Sequence, residues 1–238
     1  METPLSSKRN TARLAAAIFL LGCVPLSIWD QSNAAGKAFV ALDPVATADN
    51  LLANEFIFRT GIVTHLAGII GFAAMIFMFS QVFAEVNSHL ARLMRVTVMV
   101  PVQTVFVFEV MNFTALMILK SDARPSFDVA QQQEAAYFLL RMSRYATGPG
   151  FGKLFLGLCF IPFAMVILRS GYTPRFVGIL MMIGGVGYVG DFCISVLLQR
   201  ADYVAVRQYS IFTTAFYMLA FLWFLVKGVS EPKKQMVS

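Results

Sequence analysis

From Thr60 to Ala84 the chain carries no Asp, Glu, Lys or Arg. A helix rises ~1.5 Å per residue, so such a run can cross the ~30 Å hydrocarbon core of a bilayer. A surface helix of a soluble domain shows a polar face at every turn and has no use for so long an apolar stretch. The same constraint recurs along the sequence, in apolar runs at residues 14–29, 61–83, 93–119, 151–168, 174–198 and 211–226. Each is near or above the ~17–25 residues a crossing takes.

Composition agrees. Of 238 residues 58% are hydrophobic and 13% charged, and the mean hydropathy is +0.70; a soluble domain averages ~25% charged residues. Backbone inside lipid must satisfy its own polar groups. The expected fold is therefore all-α: a single-domain polytopic transmembrane helix bundle with about six spans over residues 1–238. Residues 1–13 are polar and basic, which resembles a signal peptide, and Leu20-Leu21-Gly22-Cys23 resembles a lipoprotein cleavage box. The apolar run continues past Cys23, so it reads as the first span. Arg169 and Arg175 separate the fourth and fifth runs so tightly that these form a hairpin, with Pro174 at a helix start. Pro25, Pro101 and Pro162 lie within runs, where they kink helices or open backbone sites.

Two longer loops predict interfacial helices. In the first, Leu51, Leu52, Phe56 and Phe58 alternate with polar residues, and Asp49 is a candidate cap. In the second, Tyr137, Phe138, Leu140 and Met142 suggest one apolar face, with Arg141 and Arg144 beside its polar face. The cluster Gly148-Pro149-Gly150 ends it.

The net charge is +6, but the basic residues cluster beside apolar runs. Lipid headgroups and topology explain that better than nucleic acid, so membrane lipids are the expected partners. The side holding the termini has Lys8, Arg9, Arg13, Arg92, Arg95, Arg169, Arg175, Lys227, Lys233 and Lys234 in short segments, where the positive-inside rule has most force. That predicts cytoplasmic termini in a cell membrane, with both loops facing outward.

Ionisable groups inside spans are costly and are functional candidates by default. Here they are His65, Glu109 and Asp191. From helix rise, they lie ~7, ~15 and ~10 Å below the outer ends of their spans. Asn112 sits one turn from Glu109, Tyr188 sits near Asp191, and Tyr217 lies at comparable depth. These residues suggest a polar pocket in the outer half of the bundle, with Glu109, Asp191 and His65 as candidate acid–base groups. Asn112, Tyr188, Tyr217 and Arg59 are candidate ligand contacts. A carboxyl in an apolar wall can protonate an alkene or epoxide, or relay a proton. Each of the three also reads as an interhelical fastener.

No metal or cofactor site is expected: Cys23, Cys159 and Cys193 lack ligand spacing and read as small buried hydrophobes. The run Gly184-Gly185-Val186-Gly187 follows no strand and reads as a surface for close helix approach, not a nucleotide loop. Three classes of function fit. One is an intramembrane enzyme, such as a cyclase or isomerase, acting on a lipid-like or isoprenoid molecule. The others are a proton-linked transporter and a non-catalytic sensor or scaffold. By loose analogy, small membrane-bound terpene cyclases also use carboxyl groups within a compact helical bundle.

The segment Arg169-Ser170-Gly171-Tyr172-Thr173-Pro174-Arg175-Phe176-Val177-Gly178-Ile179-Leu180, running on to Gly187-Tyr188-Val189-Gly190-Asp191, is the most distinctive in the chain. With Asn54-Glu55-Phe56-Ile57-Phe58-Arg59-Thr60-Gly61, Val86-Asn87-Ser88-His89-Leu90-Ala91 and Glu109-Val110-Met111-Asn112, it resembles domain-of-unknown-function family 4386. The likeness runs from about Arg13 to Lys227. It implies a six-span bacterial membrane protein and no established reaction.

Overall fold

A computed structural model describes residues 4–30, 32, 35–120, 127–147, 151–197 and 203–230. Eight helices carry the fold: α1 (Leu5–Trp29), α2 (Pro44–Ala53), α3 (Glu55–Phe83), α4 (Ser88–Lys120), α5 (Val129–Thr147), α6 (Phe151–Ser170), α7 (Arg175–Leu197) and α8 (Tyr203–Lys227). There is no strand among the described residues. Helices α1, α3, α4, α6 and α7 are long and apolar enough to cross a membrane, and α8 adds a shorter apolar section, Ile211–Lys227. The turn expected at residues 148–150 lies outside the described residues.

The six long helices close a ring in chain order. Helix α1 packs on α3, α3 on α4, α4 on α6, α6 on α7, α7 on α8, and α8 back on α1. Phenylalanines fill its centre. Phe79 of α3 lies 4.7 Å from Phe163 of α6 and 4.9 Å from Phe224 of α8, ring centre to ring centre, and Phe19 of α1 lies 4.4 Å from Phe221. Lipid is as apolar as these side chains, so close packing rather than exclusion from water must hold them together. Aromatic rings supply much contact area for little lost side-chain freedom.

Several helices start earlier than their apolar runs. Helix α3 begins at Glu55, not Gly61, because the Glu55–Arg59 pair (2.7 Å) supports the first turn and Lys120 of α4 reaches the same carboxylate at 2.8 Å. Pro25 acts on the turn before it. Lacking an N–H for the carbonyl four residues back, it is preceded by a π-helical turn, Ile18–Cys23. Helices α4 and α6 continue through Pro101 and Pro162.

Both loop helices form, with corrected faces. Helix α2 is capped by Asp43, whose Oδ1 accepts the Ala46 N–H at 2.8 Å, and not by Asp49, since Pro44 fixes the first helical position. Helix α5 buries Ala136, Tyr137, Leu140 and Ser143, at the three- and four-residue spacing of a single face, and exposes Phe138 and Met142. The two helices share a small core of Leu51, Phe58, Leu116 and Leu140. They are clamped where Tyr137 Oη accepts the Leu42 N–H at 2.9 Å and Phe39 stacks on the Tyr137 ring. Together they cover the end of the ring opposite the termini. Thr64 and Thr104 donate back to the carbonyls of Gly61 and Val100 on their own helices. Cys23 and Cys159 are buried as expected, whereas Cys193 is exposed.

The end bearing the termini is held by a cluster the sequence did not reveal. Lys8 pairs with Glu85 in the α3–α4 turn. It also donates to Tyr172 Oη at 3.3 Å in the α6–α7 turn and lies 5.4 Å from that ring's centre. Gly171 makes the turn possible with φ +66°, a left-handed conformation that glycine adopts without cost. The Lys8 side chain is 8% exposed and that of Glu85 40%. Lys8→Met should therefore cost only ~1 kcal/mol, because the released carboxylate can rehydrate. Glu85→Gln should cost more, ~2–3 kcal/mol, because a buried ammonium loses its counter-charge. Thermal unfolding followed by Trp fluorescence checks the order; equal losses would contradict it.

Candidate functional site

The polar residues of the half of the bundle away from the termini form two centres rather than one. In the first, His65 of α3 and Glu109 of α4 meet across the helix interface, with Nδ1 and Oε1 2.5 Å apart. Asn112, one turn along α4, donates its amide to the other carboxylate oxygen, Oε2, at 3.0 Å. The Glu109 side chain is 5% exposed and that of His65 27%. Both oxygens of the acid are thus engaged, and the imidazole is held by one nitrogen. No hydrogen bond of its second nitrogen, Nε2, is seen among the described residues.

Helix register explains the meeting. With α3 starting at Glu55 and α4 ending at Lys120, His65 and Glu109 lie ten and eleven residues from those helix ends. At ~1.5 Å per residue both sit ~15 Å in. The contact of Lys120 with Glu55 sets the two helices in this register.

Asp30, directly after α1, adds a second carboxyl within electrostatic reach of His65, Glu109 and Arg144. Burial pushes it up to about 6; the neighbouring Glu109 also raises it, while the His65 and Arg144 charges oppose the shift. Arg144 of α5 is itself lowered by burial, and its guanidinium lies 4.9 Å from the centre of the Phe39 ring. For Asp30 the protonated form is favoured in the folded state. Its contribution to stability is full below the ordinary 3.8 and is lost as pH rises through about 6. Asp30→Asn should therefore flatten the stability profile between those values, as thermal unfolding across pH will show. A profile unchanged by the substitution would place Asp30 in water.

The second centre lies across the ring. Asp191 of α7 is fully buried and pairs with Lys153 of α6. One turn away, Tyr188 Oη bonds to Tyr217 Oη at 3.0 Å and to Thr214 Oγ1 at 2.9 Å on α8. Helix α7 packs against α6 and α8 but not against α3 or α4. Asp191, Tyr188 and Tyr217 are therefore not brought to His65, Glu109 and Asn112. Arg59 is in neither centre: it bonds to Glu55, and its guanidinium lies 5.6 Å from the Phe113 ring centre.

Sequence reasoning missed Asp30 and Lys153. Asp30 directly follows the first apolar run and Lys153 is the third residue of the fourth, so position along the sequence places each near a span end and gives no sign of its partner. Among the described residues no group of three or more His, Cys, Asp or Glu could hold a metal ion.

Chemically, a carboxylate holding one imidazole nitrogen fixes the ring's orientation and leaves the other nitrogen to exchange a proton. The apolar helices define a multi-pass integral membrane protein. The chain belongs to the family described as Domain of unknown function (DUF4386), whose model matches residues 13–228. No curated protein and no solved structure matches the chain.

Proposed function

We propose that the His65–Glu109–Asn112 centre is a proton-exchanging site for a small lipid-like or isoprenoid molecule. It sits in the outer half of a cell-membrane protein whose termini both face the cytoplasm. The observation that carries this reading is the His65–Glu109 pair itself, its imidazole held at Nδ1 while the side chain stays 27% exposed. An interhelical fastener needs only the bonded edge. A part-exposed imidazole costs packing and gains nothing in a purely structural role.

In this role His65 Nε2 takes a proton from one position of a bound molecule and returns it to another, which is isomerase or cyclase chemistry. Glu109 holds the ring and balances the imidazolium, and Asn112 holds Glu109. The covering helices α2 and α5 and the carboxyl of Asp30 border the site. The short, basic segments on the terminal side support the orientation.

The test is incubation of the purified protein with polyprenyl epoxides and with lipid extracts, with products read by mass spectrometry. Turnover should fall about a hundredfold in His65→Ala and Glu109→Gln variants that keep their helical content, the usual loss when a general base is removed. Turnover unaffected by both would remove the pair from any mechanism. Binding without turnover, together with substrate-dependent pH change in proteoliposomes, would favour a proton-linked carrier instead.

A further inference from the structure

At the opposite end of the ring, a groove runs along the outer face of α7 and α8, lined by Phe176, Leu180, Leu219, Leu222, Trp223 and Val226, with Lys227 at its mouth. Its walls are half-exposed aliphatic residues, while Phe176 and Trp223 meet edge to face, ring centres 5.2 Å apart. We propose that this groove holds one anionic phospholipid of the surrounding leaflet, its acyl chain in the groove and its phosphate at Lys227 and Arg175. The site is separate from the His65 centre and does not depend on the reading of that centre.

Charge complementarity selects this occupant. Lys227 ends α8 and Arg175 begins α7, and both are exposed. Two cations therefore flank the level at which a lipid phosphate lies. Trp223 sits one turn inward from Lys227, as tryptophan does at a membrane interface. From Leu219 to Val226 the groove wall extends ~10 Å, room for a substantial part of one acyl chain. A zwitterionic lipid would fill the apolar part equally well but would bring no net charge to the mouth.

The experiment is native mass spectrometry of the full chain after exchange into micelles containing equal parts phosphatidylglycerol and phosphatidylcholine. One phosphatidylglycerol should be retained in preference to phosphatidylcholine. A basic residue beside an anionic headgroup contributes about fivefold, so Arg175→Ala with Lys227→Ala should weaken retention about twenty-five-fold. The control pair Arg92→Ala with Arg95→Ala removes two exposed cations of α4 and should leave retention unchanged. Leu222→Trp fills the groove, keeps both cations and should also release the lipid, which covers the case in which the charge variant fails to fold. The proposal is overturned by equal loss in the control pair, by no preference for phosphatidylglycerol, by retention in Leu222→Trp, or by a lipid-free dimer seated on this face.

Discussion

Gly157→Leu should leave no folded monomer. A side-chain carbon at Gly157 would lie 2.6 Å from the Gly185 carbonyl oxygen, 2.8 Å from Val189 Cγ2 and 3.1 Å from the Val189 nitrogen. Two of these three atoms are backbone, so no rotamer change relieves the clash. Helices α6 and α7 would have to separate, and that contact also carries the Lys153–Asp191 pair. Overpacking a core ordinarily costs ~1–3 kcal/mol. Here Gly157→Ala alone should reach the top of that range, and the larger side chain should exceed it. Gly68→Ala is the control: a side-chain carbon there meets open space on α3, and the better helix former should hold or raise stability. Size-exclusion profiles and thermal unfolding in mild detergent check both. A monodisperse Gly157→Leu protein with the parent's unfolding temperature would show that α6 and α7 do not pack this closely.

The second large effect is expected at the Lys153–Asp191 pair, and it should be asymmetric. The Asp191 side chain is fully buried, whereas that of Lys153 is 20% exposed on the first turn of α6. Lys153→Met strips the cation from a carboxylate that water cannot reach, a change that costs ~3–5 kcal/mol when a buried pair is broken. Asp191→Asn leaves an ammonium close enough to the helix end to reach the interface, so its cost should be lower. Replacing both with apolar residues, Lys153→Met with Asp191→Leu, should recover part of the loss. A double-mutant cycle built on unfolding measurements gives the coupling directly. Additive losses would mean that the two charges are solvated independently.

The long helices and their order were legible because lipid imposes a single requirement, an unbroken apolar run, that no local preference can imitate. Helix ends were less legible. The starts of α3 and α4 at Glu55 and Ser88 lie in polar sequence, where membrane-crossing length gives no signal and only side-chain pairing and capping decide. The centres followed the same division. His65, Glu109 and Asn112 could be chosen because each is expensive in hydrocarbon. Their meeting depended on the register of α3 against α4, which the Glu55–Lys120 contact fixes outside the apolar runs. Asp191 was equally visible as an expensive residue, yet its partner Lys153 looked like an ordinary interfacial cation. Depth along a helix can be counted from sequence; direction around the ring cannot, and that is why one expected centre became two. The Lys8–Glu85–Tyr172 cluster joins three distant stretches of chain, and no spacing along the sequence links its members.

The chain has only two histidines, and His89 is exposed in the first turn of α4. Selective ¹⁵N labelling of histidine therefore gives one reporter at the proposed centre and one internal reference. His65 should show one ring nitrogen bonded to a carboxyl and one that changes when a lipid-like ligand is added, and Glu109→Gln should shift the His65 signals while leaving His89 in place. A His65 spectrum that ignores both the Glu109 substitution and every ligand, and matches the freely solvated pattern of His89, would contradict the proposed centre.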